Sequence, residues 1–106
     1  MAKFLIKGTY TSEGAKALMA EGGTRRKAAV EQMLSGLGGK VEAFYFALGE
    51  SDVYVIVEVP DTTAGVALSL AVNASGMVKL SSVMLMTPEE VDAASKKTVN
   101  YRAPGR

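Results

Sequence analysis

The chain reads as one small α+β domain, and three features of the sequence predict it. Four segments alternate apolar and polar residues at strand spacing: Ala2–Tyr10, 41–48, Val53–Val59 and 77–86. Longer stretches with apolar residues at helical spacing lie between the first and second strands and between the third and fourth. Only Gly49-Glu50-Ser51-Asp52 separates the middle two strands, a hairpin connection that makes them antiparallel neighbours.

In the first strand Phe4, Ile6 and Tyr10 fall on one side, and Lys3, Leu5, Lys7 and Thr9 on the other. Thr11 then offers an N-cap hydroxyl, and Glu13 places a carboxylate in the first helical turn. Ala15, Leu18 and Met19 follow at helical spacing until Gly22-Gly23 breaks or bends the helix. A second helical stretch begins near Thr24, read as its cap, with Val30, Met33, Leu34 and Leu37 as the core stripe. Arg25, Arg26, Lys27, Glu31 and Gln32 take the wetter faces. Gly38-Gly39 ends this helix, where a positive φ is usually needed.

Val53, Val55, Val57 and Val59 line one face of the third strand, and Tyr54, Ile56 and Glu58 the other. Pro60 closes that strand, and Asp61 caps a helix over 62–75. This helix has no charged side: Ala64, Val66, Ala67, Leu68, Leu70, Ala71, Val72 and Ala74 surround its axis. It either exposes small side chains or is covered by a second subunit, and coverage is the expectation. Gly76 ends it. After the fourth strand, Thr87, Pro88 and Glu90 spell a capping box with proline at the first helical position, and Lys96 and Lys97 suit the helix end. Residues 1–97 then form a single domain, and 98–106 a basic tail.

Right-handed crossovers and one hairpin together predict a ferredoxin-like βαββαβ arrangement. It has a four-stranded antiparallel sheet, helices on one face and an additional C-terminal helix. The other face would carry Leu5, Lys7, Tyr45, Ile56, Glu58, Ser81 and Val83. A half-apolar open face suits packing against a second sheet. Glu58 interrupts an apolar strand, so it calls for a cation such as Lys7 or Lys79.

Composition narrows the chemistry further. The 106 residues include no cysteine, histidine or tryptophan. Thiol nucleophiles, disulfides, imidazole bases and ordinary zinc or haem ligation are therefore excluded. No acidic loop is spaced for a metal, so neither metal nor cofactor is expected. A formal net charge of +1 gives no general pull toward nucleic acid or anionic lipid. The uncharged stretch 62–78 has too short an apolar part to span a bilayer, and the start of the chain lacks a signal-peptide pattern. The expectation is a cytoplasmic protein. The six methionines need no redox role, since Met fills irregular cores and adaptable interfaces.

Several strings resemble those of the GYD-domain family: Tyr10-Thr11-Ser12-Glu13-Gly14, Gly38-Gly39-Lys40 leading into Val41-Glu42-Ala43-Phe44-Tyr45, and Gly49-Glu50-Ser51-Asp52 followed by Val53 to Pro60 and Asp61. The similarity covers about residues 3–91. The family's usual tyrosine before the loop aspartate is replaced here by Ser51. What the resemblance implies is a relative of the dimeric α/β-barrel proteins, in which two ferredoxin-like sheets face each other. It implies no defined reaction, since relatives include cofactor-free oxygenases, isomerases, haem-handling proteins and binding modules.

Candidate site residues follow from side-chain chemistry. Lys7, Tyr10 and Tyr45 offer an ammonium and two phenols able to orient a carboxylate or enolate, although strand alternation separates Lys7 from Tyr10 unless the strand bulges. The plainer role for the tyrosines is to anchor core or interface with the hydroxyl near water. Asp52 suits turn chemistry first and a ligand contact second. Arg25 and Arg26, beside Gly22-Gly23 at a helix start, resemble a weak anion site, but without the P-loop spacing. No aromatic platform for bases accompanies them, so nucleic acid is not an expected partner.

The leading expectation is a non-catalytic homo-oligomer that binds a small ligand or serves assembly. The alternative is a cofactor-independent enzyme acting on a small carbonyl or phenolic substrate.

Overall fold

Four strands build one antiparallel sheet in the order β2-β3-β1-β4, from β1 (Ala2–Tyr10), β2 (Lys40–Phe46), β3 (Val53–Val59) and β4 (Val78–Leu85). The structure is a computed structural model that describes residues 1–106. This order, with β3 and β1 central, is the ferredoxin-like arrangement. Strand β3 is central because both its faces are usable. Val53, Val55, Val57 and Val59 are all buried, while Tyr54, Ile56 and Glu58 are half-buried on the other face.

The helices α1 (Ser12–Glu21), α2 (Gly23–Gly36) and α3 (Thr62–Ala74) cover the valine face. Ile6, Leu34 and Leu68 join the four valines in the buried core, with Phe4, Tyr10, Val30, Met33, Leu37, Phe44 and Val72 packed around it. Helix α2 ends in a Schellman motif: Gly39 N–H donates to the Leu34 carbonyl, Gly38 N–H to Ser35, and Gly38 has a φ of 77°. Asp61 Oδ1 accepts from Ala64 N–H and caps α3.

Local chemistry differs from the sequence reading at several points. Strand β2 stops at Phe46, not at residue 48, so the connecting loop begins at Ala47, whose N–H donates to the Asp52 carbonyl. A bulge at Glu42 interrupts the pairing of β2 with β3. Thr24 is not the cap of α2. Gly22, at φ 90°, occupies that position without a side-chain bond, because the chain turns the α1–α2 corner there. Met19, grouped with Ala15 and Leu18 by helical spacing, is 86% exposed. The residue that does approach the sheet is Gly14, where a side chain would collide with the Met77 carbonyl.

The open face is organised in rows by the strand register. Tyr45, Tyr54, Lys7 and Ser81 form one row across all four strands, and Ala43, Ile56, Leu5 and Val83 form the next. In the third row Lys3 sits opposite Glu58. The partner of Glu58 is therefore Lys3, at 3.9 Å, and neither Lys7 nor Lys79. Lys3 also meets Glu42 at 3.0 Å, because the bulge brings that carboxylate across. Such half-exposed pairs contribute little stability individually.

A final helix, α4 (Pro88–Ser95), begins with the full Thr87/Glu90 capping box and proline in its first turn. It buries none of its residues and makes no substantial packing contact with the rest of the domain. The molecule is accordingly elongated, 57 × 33 × 23 Å. No helix is long and apolar enough to cross a membrane.

Candidate functional site

Between the sheet and the helices lies a half-enclosed cavity of about 440 Å³. Seventeen of the 21 residues around it are hydrophobic. Its floor is the core face of the sheet, including Ile6, Phe44, Val53, Val55 and Val57, and helices α1, α2 and α3 wall it. Helix α1 contributes Gly14, Ala17, Leu18 and Glu21, at spacing i, i+3, i+4 and i+7. Helix α2 contributes Arg26, Val30, Met33 and Leu34, also one stripe. Each stripe ends in a charge where the helices meet at Gly22. The two charges, Glu21 and Arg26, approach to 3.6 Å between Oε2 and Nη1.

Arg26 therefore does not lie on the wet face of α2, where it was expected beside Arg25 and Lys27. Its guanidinium is about one-third exposed, but its Nε is buried and has no hydrogen-bond partner. A legible signal existed: Arg26 lies four residues before Val30 and continues the stripe through Met33, Leu34 and Leu37. Arg25 faces a separate shallow outer groove with Ala28, Ala29 and Gln32. The two arginines thus address different surfaces.

Tyr10 lines the same cavity, half-buried at the end of β1. Burial pushes the Tyr10 phenol above its ordinary pKa; Arg26 acts in the opposite direction, and Glu21 and Asp52 reinforce the rise. The phenol is therefore harder to ionise than a free one. Asp52 fixes Tyr10 from outside the cavity, its Oδ2 accepting the Tyr10 backbone N–H at 2.9 Å.

Lys7 and Tyr45 are not brought to this cavity. They share the open-face row on either side of Tyr54, and Tyr45 is 72% exposed. Of the three residues grouped by chemistry, only Tyr10 lines the cavity. No three acidic side chains converge as a metal-binding group. Ser75, the remaining polar residue at the cavity, is already engaged: its hydroxyl donates to the Val72 carbonyl and accepts from Met77 N–H.

These features define a ferredoxin-like α+β domain with a mostly apolar cavity and a polar corner. The GYD-domain family model matches residues 4–95, and the chain belongs to that family. No curated protein and no solved structure matches it.

Proposed function

We propose that this GYD-domain protein is a non-catalytic, homo-oligomeric module that holds a small, largely apolar ligand between its sheet and its helices. The observation that carries the reading is the cavity itself. At about 440 Å³, half-enclosed and mostly apolar, it sets hydrophobic wall against water, surface that is stabilised when an apolar body covers it. Water is a poor filler, since an ordered water needs polar partners and the walls offer few. An apolar molecule displaces poorly bonded water and gains contact with the walls.

Self-association is supported by the amount of surface left over. The chain exposes 7504 Å², about 1,800 Å² more than the roughly 5,700 Å² expected of a folded monomer of this mass. A standard interface hides about 800 Å² per partner. Part of that excess is the unpacked α4 and the exposed C-terminal segment. The surface also leaves apolar side chains exposed, among them Val66 and Leu70 on α3, Val83 on the open face and Val91 on α4. A second copy is the occupant we assign to these surfaces, with the open sheet faces packed against each other as in dimeric α/β barrels.

Native mass spectrometry of freshly purified protein tests both parts together. The reading expects a multiple of the 11.1 kDa chain carrying extra mass that is lost on denaturation. A bare monomer under gentle conditions would contradict it.

A further inference from the structure

The polar corner of the cavity specifies what kind of molecule fits. This inference rests on the cavity being a ligand site and goes on to name the ligand's chemical class. Arg26 is held over the cavity by its place on the inner stripe of α2. Glu21 occupies the Nη1 side of the guanidinium, at 3.6 Å, a charge contact longer than a hydrogen bond. The buried Nε–H has no acceptor at all. A buried donor left unpaired is costly, and a guanidinium donor more so, because its charge is partly desolvated as well.

Glu21 contacts Nη1 and Nε is closed off by protein atoms, so the exposed third of the side chain is what remains to meet a ligand's acceptor oxygens. The phenol of Tyr10 stands on the wall of the same cavity, within electrostatic reach of Arg26 and Glu21. Beyond this corner the walls are Ile6, Val30, Met33, Val55, Leu68 and their apolar neighbours. A head with acceptor oxygens at one end and a hydrocarbon body at the other satisfies both regions.

We infer that the cavity binds an amphipathic monocarboxylate, its carboxylate on the exposed part of the Arg26 guanidinium and its apolar body among the side chains of the sheet and α1–α3. Glu21 has a defined part in this arrangement. It orients the guanidinium through Nη1, but its own charge opposes the incoming carboxylate, so it sets an upper limit on affinity. The site therefore favours a molecule whose body contributes most of the binding and whose head selects orientation.

The test is calorimetric titration of the full chain with decanoate and with 1-decanol, which share a body and differ in head group. Decanoate should bind the natural sequence at least about tenfold more tightly than decanol, the ratio one charge-assisted hydrogen bond supplies. Arg26→Met should bring decanoate to the affinity of decanol and leave decanol unchanged. Glu21→Gln should tighten decanoate several-fold and leave decanol alone, and it serves as the independent variant should Arg26→Met fold poorly. Equal affinity for both probes, or an effect of Glu21→Gln on neither, overturns the carboxylate assignment while leaving the cavity as a ligand site. Failure of both probes to bind the natural sequence overturns the cavity reading itself.

Discussion

The backbone N–H of Tyr10 is held by the carboxylate of Asp52 at 2.9 Å, across 42 positions of chain. The bond joins the end of β1 to the β2–β3 loop, and Asp52 N–H donates back to the Gly8 carbonyl. One residue thereby fixes the loop and the strand end that carries a cavity-lining phenol. Asp52→Ala leaves the Tyr10 N–H unpaired and should cost about 1–2 kcal/mol. Asp52→Asn keeps an acceptor and should cost less than half as much. Urea-unfolding midpoints measure both, and equal losses for the two variants would show that the carboxylate is not acting as an acceptor here.

Two of the helix-resident glycines, Gly14 in α1 and Gly36 at the end of α2, should respond to alanine in opposite directions. A methyl group at Gly14 meets the backbone carbonyl of Met77, which cannot yield without moving β4 away from α1. Gly14→Ala should destabilise by about 2 kcal/mol or more. At Gly36 nothing lies within 4 Å of the added methyl, and Gly36→Ala should stabilise by about 0.5 kcal/mol through helix propensity. Thermal or chemical unfolding of the pair decides the matter; a neutral Gly14→Ala would mean the helix sits further from the strand than described.

These residues also show what a sequence can and cannot reveal. The valine alternation of β3, the Thr87 capping box and the glycine stop of α2 were legible because each depends on neighbours in the chain. Glu58 was assigned the wrong lysine because register depends on pairing: Lys3 lies opposite it, and nothing local to Glu58 indicates that. Arg26 was assigned to solvent by its charge, although its spacing from Val30 put it on the core side. The cavity itself has no local signature. It arises from how far three helices stand from the sheet.

Alkaline stability should report on Tyr10. Its phenol holds its proton to higher pH in the folded domain than in the unfolded chain, chiefly because of burial. Above the ordinary tyrosine range the unfolded state ionises first, so the native state binds the additional proton. The associated stability is complete below that range and is lost as pH rises through the folded pKa. Tyr10→Phe should flatten the decline of the urea midpoint at alkaline pH relative to the natural sequence. Parallel profiles would show that the phenol is not desolvated.

Surface charge should separate folding from assembly. Leu70 on α3 is 67% exposed, so Leu70→Glu removes little internal packing and should change the stability of one chain by no more than about 0.5 kcal/mol. Placed in a shared apolar surface, the same carboxylate must be buried without a partner, which is far more costly. Gel filtration should show smaller particles for Leu70→Glu with an unchanged circular dichroism spectrum. An unchanged elution volume would remove α3 from the interface.

The most direct measurement is light scattering of the natural sequence over a dilution series. The account predicts at least twice the 11.1 kDa chain mass, maintained to low micromolar concentration. A mass of one chain throughout, with α3 and the open sheet face left in water, would contradict it.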